Sequence, residues 1–161
     1  MGAMKQSQKT ALYIARNVIS NHRMQKYYKQ KPYSNPAKAK AWKYFSKYIR
    51  LRDALKTTSD IYFCRCITCG KIKPMDGSIH AGHAIAGRMN SILFNECLVH
   101  GQCKTCNETG QYAMYEKIII DMYGQEKWDY WQSTKSTHVD YSNYDYEQIA
   151  KTYREKVKRL I

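Results

Sequence analysis

Acidic residues are nearly missing from the first third of this chain. Residues 1–56 hold fourteen Lys/Arg against one acid, Asp53, while residues 57–161 hold thirteen Lys/Arg against twelve acids. The net charge of +14 over 161 residues therefore sits almost wholly in the N-terminal third. A surplus so poorly compensated favours a polyanionic partner, and nucleic acid is the commonest one. Long apolar runs are lacking too. No stretch approaches the ~20 residues of a membrane span, and residues 1–20 have no apolar core of the length a secretory signal needs. Internal repeats are also absent. A reducing cytosol follows as the expected compartment, with cysteines serving as metal thiolates rather than disulfides.

What is present sharpens this. The basic third interleaves its cations with Tyr13, Tyr27, Tyr28, Tyr33, Trp42, Tyr44 and Tyr48. Cations beside rings suit phosphate contacts combined with stacking on unpaired bases. Trp42 and Phe45 read better as the inward face of a helix. A helix is weakly outlined at 8–20 by Leu12, Ile14, Val18 and Ile19. A clearer one starts at Asn35-Pro36, an N-cap followed by proline. It runs to Lys56 with Trp42, Phe45, Ile49 and Leu55 at roughly helical spacing.

Residues 71–100 read as two strands around a Gly87-Arg88-Met89-Asn90 loop. The first holds His80, Ala81, His83 and Ile85; Ile92, Leu93, Phe94, Leu98 and Val99 lie near the second. Helices are expected over about 112–122, 125–132 and 145–160, with a polar loop at 133–144. The last helix puts Tyr146, Ile149, Tyr153, Val157 and Leu160 on one face. The organisation predicted is a basic aromatic-rich extension (1–56), a central core (57–124) and a C-terminal helical segment (125–161).

Four of the six cysteines form two pairs, Cys66-x-x-Cys69 and Cys103-x-x-Cys106, separated by 33 residues. Two such knuckles supply the four thiolates of a tetrahedral zinc site. Cys64 could replace Cys66 by register, but Cys66 fits the spacing better. A closed four-thiolate site has no open position, so its role is to staple a small fold. The insert between the knuckles holds three of the five histidines, His80, His83 and His100, with Asn90, Asn95 and Glu96; Asn107 follows the last cysteine. Phosphodiester hydrolysis needs a base and a cation. A neutral imidazole supplies the first. A hard divalent ion wants oxygen ligands, which an Asn carbonyl fixed beside a zinc knuckle provides.

The ordered pattern resembles zinc-bearing HNH nucleases and, more closely, the phage lambda NinG/Rap recombination family. The resemblance rests on residues 45–53, Cys66-Ile67-Thr68-Cys69-Gly70, Ala81-Gly82-His83, Leu93-Phe94-Asn95-Glu96, His100-Gly101-Gln102-Cys103, Cys106-Asn107, Tyr123-Gly124-Gln125-Glu126 and residues 153–160, and it spans about residues 41–160. It implies an α+β fold with a ββα-metal core beside the zinc site, flanked by helices at both ends. It also implies metal-dependent cutting of branched DNA such as Holliday junctions or D-loops, in the host cytoplasm of a phage. His83 is then the general base and Asn107 a ligand of catalytic Mg²⁺ or Mn²⁺. His80 stands where the family pattern has Asp and Leu98 where it has Asn, so His80, or Asp76 or His100 in its place, completes the site. Lys43, Lys47, Arg50, Arg52 and Arg88 are the expected DNA contacts, and a two-fold junction suits a homodimer. The rival is a non-catalytic zinc protein that binds branched or single-stranded DNA, which needs none of the histidines.

Overall fold

The computed structural model describes residues 35–161. The helix expected at 8–20 and the tyrosines of residues 13–33 lie outside them. Among the described residues no helix is long and apolar enough to cross a membrane.

Helix α1, Pro36–Thr58, starts where the Asn-Pro pair predicts. The Asn35 side-chain oxygen Oδ1 accepts from the amides of Ala37 at 2.9 Å and Lys38 at 3.1 Å, which satisfies two donors the helix cannot pair itself. It ends at Ser59 in the left-handed region, φ +54°. Its buried side, including Ala41, Phe45, Ile49 and Ala54, faces inward. A short hairpin follows, β1 (Phe63–Arg65) and β2 (Ile72–Pro74), with Cys64 opposite Lys73. The second hairpin is β3 (Ile79–His83) and β4 (Val99–Cys103), antiparallel. His80 lies opposite Gln102, Gly82 opposite His100 and His83 opposite Val99.

The chain then forms four helices: α2 (Lys104–Glu108), α3 (Tyr112–Tyr123), α4 (Gln125–Thr134) and α5 (Asn143–Lys158). The fold is α+β, as expected. One strand assignment is corrected. Ile92, Leu93 and Phe94 are not in a strand: Asn90–Ile92 is a 3₁₀ turn, and β4 begins only at Val99. The turn buries Ile92 in an apolar cluster with Leu98, Tyr115, Ile119, Trp128 and Trp131, so the run is hydrophobic because it packs, not because it pairs.

Two layers cover the second hairpin. Helix α1 lies on one face, where Phe45 and Ile49 meet Val99 and Ala81. On the other face the Tyr115 hydroxyl of α3 donates to the Gly82 carbonyl at 3.0 Å. Helix α5 runs beside α1. Tyr153 meets Phe45 edge-on at 4.8 Å between centroids, and Ala41, Ala150 and Tyr146 form a second cluster. Its start is set by a capping box between Ser142 and Asp145.

Candidate metal centre and active-site cleft

The four predicted cysteines converge. The sulfurs of Cys66, Cys69, Cys103 and Cys106 all lie within 4.8 Å of one another, and Cys69 and Cys103 are 3.8 Å apart. A tetrahedron with Zn–S bonds of ~2.3 Å has edges of about 3.8 Å, so the cage has the size and donor set of a structural zinc site. All six cysteines are free thiols.

The first knuckle closes through Gly70 at φ +70°, a conformation that favours glycine, with its amide donating to the Cys66 carbonyl at 3.0 Å. The Cys103 amide donates to Cys66 Sγ at 3.2 Å. Burial disfavours the Cys66 thiolate, but the amides of Cys103, Cys69 and Thr68 outweigh it and bring the pKa down to about 7. Cys64 is outside the cage. Its sulfur packs over Gly101 in the core, where burial, then the charge of Asp53, push the thiol up to about 11.

The histidines do not form one cluster. Successive strand residues point to opposite faces, so His80 and His83, three apart on β3, diverge. His80 turns toward α2, where Asn107 Nδ2 lies 3.2 Å from its Nδ1. An amide nitrogen can only donate, so Nδ1 is the acceptor and the ring is neutral. Burial, then the positive charge of Arg50, lower the His80 pKa. Asn107 is inside α2 rather than at its N-cap. Asp76 caps the turn into β3, accepting from the Ser78 amide and hydroxyl.

His83 faces α1 and is 9% exposed. Its ring stacks on Trp42 with centroids 5.1 Å apart and planes 15° apart. Arg88 Nη2 lies 2.7 Å from Nδ1 and donates to it, which fixes the proton on Nε2, 3.0 Å from the Leu93 carbonyl. Burial, then the Arg88 charge, drive the His83 pKa down to about 3. Arg88 makes no ion pair among the described residues, and its buried Nε has no hydrogen-bond partner.

His100 is buried in a polar network. Its Nδ1 sits 3.1 Å from Arg52 Nη2 and 3.4 Å from Asp53 Oδ2, and its Nε2 is 3.2 Å from the Cys97 carbonyl. The structure also directs Arg52 inward. Its guanidinium pairs with Asp53 at 2.7 Å and donates to the carbonyls of Glu96 and Val99, each at 3.0 Å. Asp53 Oδ2 in turn accepts from the Gly101 amide at 2.7 Å. These three residues brace β4 against α1. Lys43 and Lys47 are exposed on the outer side of α1, and Arg50 is half-buried one turn further on, so all three share one side of the helix.

Sequence reasoning missed Gly82, Gln102 and Thr68. Gln102 is 3% exposed and its Nε2 donates to the Thr68 hydroxyl inside the first knuckle at 2.8 Å. A side chain at Gly82 would meet Gln102 Oε1 at 2.2 Å and Asn107 Oδ1 at 3.0 Å. The available signal was a glycine in a strand, which marks close approach by another group.

Comparison with curated proteins and with solved structures finds no significant match. A family model does match, over residues 2–161, and it is described as Bacteriophage Lambda NinG protein. With essentially its whole length covered, the chain belongs to the bacteriophage lambda NinG family.

Proposed function

We propose that this chain is a divalent-metal-dependent DNA endonuclease of the HNH, or ββα-metal, kind, acting on branched recombination intermediates such as Holliday junctions or D-loops. The observation that carries the reading is the meeting of His80 on β3 with Asn107 on α2, 3.2 Å apart, in a hairpin-then-helix unit held beside a four-cysteine cage. A cation bound in that cleft would offset charge on the scissile phosphate and on the leaving 3′ oxygen. The residues of the chain do the rest. Lys43, Lys47 and Arg50 present a basic side to the DNA backbone, so affinity falls steeply with salt. Arg88 is a half-buried cation without a carboxylate, which a phosphate can draw away. Its departure frees His83 Nδ1, the general base of this reading, to accept the proton of the attacking water while Nε2 stays anchored to Leu93. His83 lies on the α1 face of β3 and the His80–Asn107 pair on the other, so in this reading the DNA brings the two to one phosphate. A homodimer would set two such clefts on a two-fold junction.

The expected result is Mg²⁺- or Mn²⁺-dependent cutting of a labelled four-way junction in preference to matched linear duplex and single strand. His83→Ala and His83→Gln should lose about a hundred- to ten-thousandfold in rate with junction binding retained. Gel separation of the products and a parallel binding assay check both parts.

A second reading rests on His83 as it stands, with both ring nitrogens bonded and one face on Trp42. It is a zinc protein that binds branched DNA without cutting. Junction binding with no cleavage under either metal would select it.

A further inference from the structure

We propose that the cation site of the cleft is built from the side-chain oxygens of Asn107 and Gln102 over the bare α-carbon of Gly82, with His80 and Thr68 orienting the two amides. The inference rests on the nuclease reading of this cleft and assigns its parts differently from the sequence, where His80 itself is the ligand.

Each amide has its nitrogen committed. Asn107 Nδ2 donates to His80 Nδ1 at 3.2 Å, which turns Oδ1 away from the histidine. Gln102 Nε2 donates to Thr68 Oγ1 at 2.8 Å, which turns Oε1 away from the knuckle. Both oxygens then point to the same place. A Cβ built on Gly82 would lie 2.2 Å from Gln102 Oε1, 2.9 Å from Gln102 Cβ and 3.0 Å from Asn107 Oδ1. No side chain fits at Gly82, because the Gln102 side chain and the Asn107 carbonyl oxygen already lie against its α-carbon, which brings both amide oxygens to the same backbone position. His80 and Gln102 are direct cross-strand partners, and such partners share a face of a sheet.

The His80 ring is less suited to ligation. Its Nδ1 lone pair is occupied by Asn107, and the ring is also hydrogen-bonded to the backbone of Gly77. Binding an ion through Nδ1 would release the amide that aims Asn107. Carbonyl oxygens suit Mg²⁺ and Mn²⁺ better than they suit zinc or copper. Two neutral oxygens leave most of an octahedral shell to water and phosphate, as expected of an ion that is completed by its substrate. Charges of both signs reach His80, positive from Arg50 and Lys104 and negative from Glu108, the next residue on α2.

The arrangement also ties the two metal centres together. Thr68 lies between the first pair of knuckle cysteines, so the zinc cage holds the hydroxyl that aims Gln102. Asn107 directly follows Cys106, so the same cage also positions the other amide.

The test is Mn²⁺ binding to the zinc-loaded full chain, read as loss of the free-ion electron paramagnetic resonance signal, with zinc content and thermal melting confirming that each variant folds. Gln102→Ala and Asn107→Ala are each expected to weaken Mn²⁺ binding about ten- to a hundredfold. Gln102→Glu restores the oxygen with added charge and binds at least as tightly as wild type. His80→Ala and Thr68→Val lose less than Gln102→Ala, and Thr68→Ser recovers. Wild-type Mn²⁺ affinity in Gln102→Ala, or its complete loss in His80→Ala alone, overturns the assignment. So does a wild-type chain that binds no Mn²⁺. Normal, Gln102-dependent Mn²⁺ binding with no DNA cleavage sinks the nuclease reading and keeps the site; cleavage with Gln102-independent Mn²⁺ binding does the reverse.

Discussion

Stripping the four-cysteine cage of metal, by a strong chelator or by Ser in place of Cys66, Cys103 or Cys106, unfolds the centre of the molecule instead of lowering its stability by a small step. The apolar cluster around the cage consists of Ala54, Cys64, Cys66, Ile79, Cys103 and Cys106, so three of its six buried members are themselves cage cysteines. Little hydrocarbon would hold that region together without the ion. Strands β1 and β2 are three residues each, and a lone hairpin of that size is not stable in water. Burial raises the pKa of both Cys103 and Cys106, so without a cation these thiols are protonated and give no ionic cohesion.

Structural zinc in small domains contributes about 10–16 kcal/mol, against about 5–15 kcal/mol for the stability of a whole domain. The loss therefore exceeds what the rest of the fold can supply locally. Helices α1 and α5 pack through Phe45 and Tyr153 away from the cage, so part of the helical signal should survive. Zinc content, circular dichroism and melting on one sample check this. A chelated protein that melts within a few degrees of the loaded one would sink the assignment of the cage as the staple.

The cage was legible in the sequence because a four-thiolate site writes a regular spacing into the chain. The Cys-x-x-Cys pairs name the ligands, and the spacing that favours Cys66 over Cys64 agrees with the cage. Helix α1 was legible for a similar local reason: Asn35 and Pro36 write a start signal into adjacent residues. The second strand was not. The run Ile92-Leu93-Phe94 is as apolar as a strand, yet it lies in a turn region, where Ile92 packs with α3 and α4 and Phe94 packs with Phe45 of α1 and Tyr146 of α5. Strand β4 is Val-His-Gly-Gln-Cys, all buried, and its polar members are satisfied by distant partners that no local pattern reveals.

The separate surroundings of the histidines were hidden for a related reason. Proximity in sequence suggested one site, but the pleat sends His80 to α2 and His83 to Trp42, and His100 goes into a network with α1. Gln102 was invisible because its importance lies in facing His80 across the hairpin, and register is a tertiary fact. Arg52 looked like its neighbours on a basic helix. Only the position of Asp53 and β4 beside it turns it inward.

That network yields the second large effect. Asp53→Ala is expected to destabilise the protein by about 3–5 kcal/mol, the range for removing one partner of a buried ion pair. Asp53 is 7% exposed and its two oxygens serve Arg52 at 2.7 Å and the Gly101 amide at 2.7 Å, with His100 at 3.4 Å. Alanine would leave Arg52 Nε and the Gly101 amide without their acceptor, inside the contact that joins α1 to β4, while the rest of the guanidinium keeps the Glu96 and Val99 carbonyls. At roughly 2–4 °C per kcal/mol the melting temperature falls by about 6–20 °C. Asp53→Asn keeps the shape and one acceptor and should lie between alanine and wild type.

The pH dependence separates charge from packing. Burial alone would raise the Asp53 pKa, but hydrogen bonds from His100 and Arg52, and their charges, hold it below its ordinary 3.8. A depressed carboxylate contributes stability that is fully present above the unfolded value and is lost as pH falls through the folded one. Wild type should therefore lose this increment only below about pH 4, and Asp53→Asn should show a shallower acid limb. Glu96 is depressed as well, with burial opposed by Lys156 and Tyr153, so the difference between variant and wild type carries the information, not either curve alone. Urea unfolding from about pH 3 to about pH 6, with zinc content measured at each pH so that only equally loaded samples are compared, gives that difference. Parallel acid limbs for wild type and Asp53→Asn would mean that the carboxylate at the α1–β4 contact serves as a shape and not as a charge.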